Sequence, residues 1–389
     1  MIESRPLRVG MVAGEPSGDQ LGADLIIALR AQCPSVEITA LAGPKMCDAG
    51  CVALASIEEL SVMGIVEVLR HYPRLRRLRS RITQHFLANP PDIFVGIDVP
   101  DFVLSIETRL KRAKIPTLHY VCPQVWAWRQ SRVAEISRAA DGVLALFPFE
   151  VPFLRKHHVS ATFVGHPLAD RIPLEVDRRA SRVRLGVPDA GPLIAMMPGS
   201  RRQEFSRHIP LFLATAQVLA TTIPTAQFLI GVMNVAAGDT LTQQCAQLAP
   251  TLPIHVVVRQ SQEALMAADA ALCVSGTITL EAALTKTPLV VAYQMPWLTY
   301  ELLRRVVKIP RIALPNILIG RELVPEFVQN AATPERLAGA LMQWLGAADS
   351  VQAYRAECLE LHYALRNNAG AAAAAAILKF VRTGHAAEA

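Results

Sequence analysis

Three groups of residues in this 389-residue chain have the types and spacing to do chemistry. The first is a pair of segments, Pro198-Gly199-Ser200-Arg201 with Glu204, and Ser275-Gly276-Thr277-Ile278-Thr279-Leu280-Glu281. Each reads as a buried strand running through a small-residue turn into a helix. That arrangement presents free backbone N–H groups and the positive end of a helix to a ligand. Arg201 adds a planar cation suited to two phosphate oxygens, and Glu281 can accept hydrogen bonds from a ribose diol. Ser200, Arg201, Ser275, Gly276, Thr277, Thr279 and Glu281 are therefore the candidate site for a nucleotide diphosphate. The site is not a P-loop, since G-x-x-x-x-G-K-[ST] does not occur.

The second group centres on Asp98, which ends the apolar run Ile93 to Ile97. In parallel α/β sheets ligands bind beyond the carboxyl ends of the strands. A carboxylate there can take the proton of an attacking alcohol, with proximity supplying much of the effect. Asp98 is thus the general-base candidate, and helix capping is the plain alternative for both Asp98 and Asp101. The third group lines the same half of the chain. Gly14-Glu15-Pro16-Ser17-Gly18-Asp19 ends another strand, and Glu15, Ser17 and Asp19 either meet a ligand or, for Ser17 and Asp19, cap the next helix. His119 to Arg129 places His119 near Trp126 and Trp128, two of the four tryptophans. These suit the wall of a sugar or acyl site, or a core corner. His166 ends the last strand of its series as a ligand contact or a hinge hydrogen bond. Cys122 has no evident base partner and reads as inert. Cys47-x-x-x-Cys51 lacks further ligands at metal spacing. No metal or cofactor is expected.

The elements that must position these groups follow from apolar periodicity. Short runs rich in Val, Ile and Leu at 7–14, 36–43, 92–98, 116–122, 142–147 and 161–165 alternate with helical patterns, and a second series occupies 192–197, 226–233, 253–258, 270–275 and 288–293. The expected fold is α/β, two doubly wound Rossmann-like sheets in tandem. The boundaries expected are 1–170, 185–345 and a helical remainder, 346–389, with the charged stretch Glu175 to Arg184 as linker.

Seven scattered cysteines and the absence of a leader-like apolar N-terminus favour a reducing, cytoplasmic compartment. The chain is 52% apolar with a net charge of +6 and a pI near 9.0, which points to an acidic partner surface. No nucleic-acid motif is present, so nucleic acid is not expected. Residues 60–87 instead alternate apolar and basic side chains, with Val66, Val68, Leu69, Tyr72 and Leu75 among Arg74, Arg76 and Arg77. A basic amphipathic stretch of this kind suits an anionic membrane surface, or a helix packed on its own sheet with a solvated basic face. A thinner version lies at Trp297, Tyr300, Leu302, Leu303, Arg304, Arg305 and Lys308.

With these pieces placed, the sequence resembles the lipid-A-disaccharide synthases, bacterial glycosyltransferases of GT-B architecture. The likeness rests on Gly14 to Asp19, Gly96-Ile97-Asp98 with Pro100-Asp101-Phe102, His119 to Trp128, Phe147-Pro148-Phe149-Glu150, Gly165-His166-Pro167, Pro198 to Arg201, Ser275 to Glu281 and Leu314-Pro315-Asn316. It implies two lobes facing a cleft, with C-terminal helices returning to the N-terminal domain. It also implies inverting transfer of 2,3-diacylglucosamine from UDP-2,3-diacylglucosamine to the 6-hydroxyl of 2,3-diacylglucosamine 1-phosphate, releasing UDP. Asn316 joins the donor side by that resemblance. The location implied is peripheral, on the cytoplasmic face of the inner membrane of a Gram-negative bacterium, with a homodimer as a further expectation. The competing readings are a UDP-N-acetylglucosamine epimerase or soluble-acceptor transferase, and a non-catalytic membrane-associated sugar-nucleotide binder.

Overall fold

Runs of Val, Ile, Leu, Met and Ala without polar alternation can be buried on both faces of a parallel sheet, and here they are. The computed structural model describes residues 5–60, 65–126, 130–306 and 309–384. It divides into Met1–Asp170 with Leu365–Ala389, and Arg171–Ala364.

The first unit holds seven parallel strands: β1 Arg8–Ala13, β2 Glu37–Ala42, β3 Val52–Ser56, β4 Ile93–Ile97, β5 Thr117–Tyr120, β6 Gly142–Ala145 and β7 Ala161–Phe163. Their order is β3-β2-β1-β4-β5-β6-β7. The chain winds outward in both directions from the β1/β4 pair, where Ala13 aligns with Ile97. This is the switch point at which α/β sheets bind ligands, and it sets Gly14–Asp19 beside Asp98. The core joins Met11 and Val95 to Leu25, Ile26 and Leu29 of the helix Pro16–Gln32, and to Val103, Ile106 and Leu110 of the helix Pro100–Arg112.

The closing helix, Ala369–Thr383, adds Ala373, Ala374, Ile377 and Phe380 to that core. Its alanines allow close approach to the helix Pro16–Gln32: a Cβ on Gly370 would lie 3.1 Å from the Asp24 carbonyl. The Asp170 carboxylate accepts from the N–H groups of Asn368 and Ala369 at 2.8 and 2.6 Å, satisfying donors that a helix start leaves free.

The second unit has six parallel strands: β8 Leu193–Met197, β9 Gln227–Val232, β10 Ile254–Val258, β11 Ala270–Cys273, β12 Leu289–Tyr293 and β13 Glu326–Val328. The order is β10-β9-β8-β11-β12-β13, with β8 and β11 at the switch point. Met197 aligns with Cys273, and the Val274 N–H donates to the Met197 carbonyl at 3.0 Å. The turns at 198–201 and 274–277 therefore lie side by side.

Every expected strand forms. Two unexpected ones, β3 and β13, are partly exposed sheet edges with no continuous buried run to signal them. The expected linker Glu175 to Arg184 is instead largely the helix Arg178–Leu185 of the second unit. Arg182 locks it there: it is 6% exposed and its guanidinium pairs with Asp189 and Asp269. The helix Ala348–Leu365 also lies almost entirely in the second unit rather than with the returning segment. Its Tyr354 hydroxyl donates to the Thr287 carbonyl at 2.9 Å, and His362 meets the Lys286 ammonium at 2.7 Å.

The basic amphipathic stretch forms the helix Ile65–Ala88. Leu78, Ile82 and Phe86 are 4%, 1% and 1% exposed, so its C-terminal half is core. Arg74, Arg76 and Arg77 are exposed and Leu75 is half-buried. The side chains of Val66, Val68, Leu69 and Tyr72 lie outside the described residues. Among the described residues no helix is long and apolar enough to cross a membrane.

Candidate functional site

In the first unit the Asp98 N–H donates to the Tyr120 carbonyl at 2.9 Å, tying the end of β4 to β5. Asp98 and Val99 then adopt φ of +54° and +44°, and Val121 at the end of β5 has φ +80°. Left-handed backbone at non-glycine residues costs on the order of 1–3 kcal/mol each and persists where neighbours over-determine it. One such neighbour is Gly14: a Cβ there would sit 2.4 Å from Val99 Cγ2, so only glycine admits the Val99 side chain. The Asp98 carboxylate is half-exposed and accepts no hydrogen bond from a described residue. Glu15 and Ser17 are exposed across the switch point. Asp101, by contrast, is committed to an ion pair with Arg132 at 2.8 Å.

An aromatic corner follows along the same edge. The Trp126 indole N–H donates to Glu150 Oε1 at 3.2 Å, and the Phe147 N–H donates to Glu150 Oε2 at 3.1 Å. Trp126 meets Phe149 edge-on at 5.0 Å, Phe147 stacks on Phe149 at 5.9 Å, and His166 stacks on Phe147 at 5.4 Å. Burial pushes the Glu150 carboxyl up to about 8, against the lowering effect of these hydrogen bonds. It therefore carries a proton near neutral pH and braces Trp126 from within. Glu150 went unnoticed as a site residue in the sequence. Its one signal was the aromatic pair Phe147 and Phe149 just before the helix, since an acid in a first turn is ordinary. Cys122 is buried, and burial first, then Glu150, push its thiol up, which suits an inert role. Trp128 lies outside the described residues.

In the second unit the turn after β8 passes through Gly199 at φ +110° into the helix Arg202–Thr222. The Arg201 side chain is 82% exposed, and among the described residues its partner is Glu204 at 3.0 Å. Glu204 also accepts from the Tyr293 hydroxyl at 3.3 Å. The turn after β11 passes through Gly276 at φ +141° into the helix Thr277–Leu284, and no side chain caps that helix. Ser200, Gly276 and Thr277 are exposed. Two uncapped helix starts and one open guanidinium thus converge on one edge of the sheet, an anion site by construction. Glu281 lies one turn into the second helix, where Ser261 donates to its Oε2 at 3.1 Å. Burial raises the Glu281 carboxyl above its ordinary range, with Ser261 and Arg171 acting in the opposite direction.

Several expected contacts do structural work instead. Asp19 is 2% exposed, and its carboxylate accepts from the N–H groups of Gly43, Lys45 and Met46, capping the helix Pro44–Asp48 rather than its own. His119 is fully buried and donates to Glu107 at 2.9 Å, so it is no ligand wall. His166 is 8% exposed, its Nδ1 accepting from the Leu168 N–H and its own N–H donating to the Leu365 carbonyl. Thr279 is fully buried, donating to the Gly276 carbonyl and accepting from the Leu314 N–H. Ser275 donates to the Ile312 carbonyl. Asn316 is also fully buried: its Oδ1 accepts from Leu323 and Val324, and its Nδ2 donates to the Val324 carbonyl and Glu326. Asn316→Ala should therefore lower unfolding stability by about 2–4 kcal/mol, because it strands buried N–H groups. Denaturant titration checks this, and UDP affinity should stay within about twofold, because a fully buried amide with both ends committed offers UDP no free group.

The sequence profile of the lipid-A-disaccharide synthetase family matches residues 9–380. A lipid-A-disaccharide synthase of Alkalilimnicola ehrlichii is 46% identical over 374 residues, covering 96% of this chain and 98% of that one. The fold is shared with a Neisseria meningitidis UDP-GlcNAc 2-epimerase bound to UDP-GlcNAc, at a TM-score of 0.61 and 13% identity, covering 98% of this chain and 100% of that one. It is also shared with a glycotransferase of kitacinnamycin, at a TM-score of 0.62 and 16% identity, covering 96% and 99%.

Proposed function

Because this chain belongs to the lipid-A-disaccharide synthetase family and is a glycosyltransferase of lipid A biosynthesis, we propose a specific division of labour between its two switch points. The donor is UDP-2,3-diacylglucosamine. Its diphosphate is held by the uncapped starts of the helices Arg202–Thr222 and Thr277–Leu284 and by Arg201, and its ribose by Glu281. The acceptor is 2,3-diacylglucosamine 1-phosphate. Asp98 takes the proton from its 6-hydroxyl as the oxygen bonds to the anomeric carbon and the bond to UDP breaks. One displacement converts an α-linked donor to a β-1,6-linked disaccharide 1-phosphate, with no covalent enzyme intermediate. The observation that carries the reading is the placement of Asp98: its carboxylate is half-exposed at the switch point and accepts no hydrogen bond from a described residue, whereas Asp19 on the same edge is buried and taken up as a helix cap.

Arg201 and the helix starts supply the positive charge the leaving diphosphate needs, so the reading requires no metal. Mass spectrometry of the reaction of the two lipid substrates tests it: a disaccharide 1-phosphate and UDP should form in equal amounts, undiminished by a chelator. Epimerised donor, or UDP release without acceptor, would overturn it.

The enzyme works as a peripheral protein on the cytoplasmic face of the inner membrane, where its acylated substrates lie. Support comes from exposed Arg74, Arg76 and Arg77 on one helix, and from Trp297, Leu298 and Leu302, which are 68%, 75% and 66% exposed on another. Each basic residue near an anionic surface contributes about 1 kcal/mol. Replacing Arg74, Arg76 and Arg77 with alanine should reduce sedimentation with anionic vesicles severalfold at unchanged thermal stability, since all three are exposed. Unchanged sedimentation would remove this helix from the membrane contact.

A further inference from the structure

Glu107 and His119 form a buried pair that the proposed reaction does not use. The two side chains are fully buried, with Nδ1 of His119 donating to Glu107 Oε1 at 2.9 Å. Each also carries a buried atom with no partner among the described residues, Glu107 Oε2 and His119 Nε2. Burying such a pair is expensive, and apolar residues of similar volume generally give equal or greater stability. A role beyond stability is therefore the better account, and the pair's location says which.

His119 is the register partner of Gly96 on β4. A Cβ at Gly96 would lie 2.2 Å from Glu107 Oε1 and 2.1 Å from Val103 Cγ1, so the missing side chain is what lets Glu107 cross β4 to reach β5. Glu107 belongs to the helix Pro100–Arg112, which starts two residues after Asp98. Asp98 is thus tied to β5 twice: directly, through its N–H on the carbonyl of Tyr120, next to His119, and indirectly, through the helix whose Glu107 grips His119. Between the two ties lie the left-handed residues Asp98 and Val99, a turn that would relax if either tie were lost.

We propose that the Glu107–His119 pair is a positioning element that clamps the helix Pro100–Arg112 to β5 and so holds the strained Asp98–Val99 turn with its carboxylate aimed at the acceptor hydroxyl. The electrostatics agree with this geometry. Burial pushes the His119 imidazole down, but the charge and hydrogen bond of Glu107, with the charge of Asp98, outweigh it and hold the imidazole above its ordinary value.

The inference rests on Asp98 as the base, and the test separates the two. Displacement of a reacting group by about 1 Å can cost on the order of 100-fold. Glu107→Gln and the apolar double variant Glu107→Leu with His119→Leu should each lower kcat on the order of 10- to 100-fold. The acceptor KM and the UDP dissociation constant should change by less than about threefold, and the thermal midpoint of the double variant should not fall. In an Asp98→Ala background, Glu107→Gln should cost nothing further, because the pair acts through Asp98. A folded double variant with full kcat would overturn the inference while leaving Asp98 as the base. Full kcat in Asp98→Ala alone would instead overturn the reading on which it rests.

Discussion

Replacing Asp98 with alanine should lower kcat by about 10²- to 10⁴-fold, the range expected for loss of a positioned general base. UDP affinity should stay within about twofold, since the groups assigned to UDP lie in the other unit of the chain. The size of the effect follows from geometry. Asp98 is anchored by its backbone to the Tyr120 carbonyl, while its carboxylate accepts no hydrogen bond from a described residue. The variant should therefore unfold close to the wild-type temperature. Steady-state kinetics, UDP calorimetry and a melting curve together check the claim. Asp98→Asn is the sharper test, because it keeps the shape and removes the basicity. Wild-type turnover in either variant would exclude Asp98 as the base.

Arg201→Ala should weaken UDP binding about 10- to 100-fold, the loss of a charge-assisted hydrogen-bonded contact worth about 1.5–3 kcal/mol. Arg201 itself is 82% exposed, and its one described partner, Glu204, keeps the Tyr293 hydroxyl as a donor when the guanidinium is removed. Stability should therefore barely change, and the whole effect should appear in donor binding. Arg201→Lys should recover only part of it, because a point charge cannot engage two oxygens in a planar fork. The UDP dissociation constant at two salt concentrations measures this, with the wild-type affinity falling more steeply with salt than that of the alanine variant. Equal UDP affinity in wild type and Arg201→Ala would move the diphosphate away from the turn after β8.

The residues that proved open to solvent and those that proved committed look alike on paper. Asp19 and Asp98 are both acids just past strand ends at the same switch point, yet Asp19 caps a helix that begins 25 residues later in the chain, at Pro44, while Asp98 has no such neighbour. Asn316 and Ser200 are both small polar residues, and only the first is enclosed, by Leu323 to Glu326. Glu150 and Glu107 stood unmarked because their partners, Trp126 and His119, are 24 and 12 positions away. A helix or strand pattern carries no information about which distant donor a carboxylate will meet.

The order of apolar runs and turns was enough, by itself, to determine two doubly wound parallel sheets and to put Asp98, Arg201 and the glycine turns beyond strand ends. Period and burial are local properties, set by which side chains must leave water. Tertiary structure alone decided that β1 adjoins β4 and β8 adjoins β11, and that Asp19, His119, Thr279 and Asn316 face inward. Those outcomes depend on hydrogen bonds and close approaches between segments far apart in sequence, which exist only once the sheets have paired and the helices have docked.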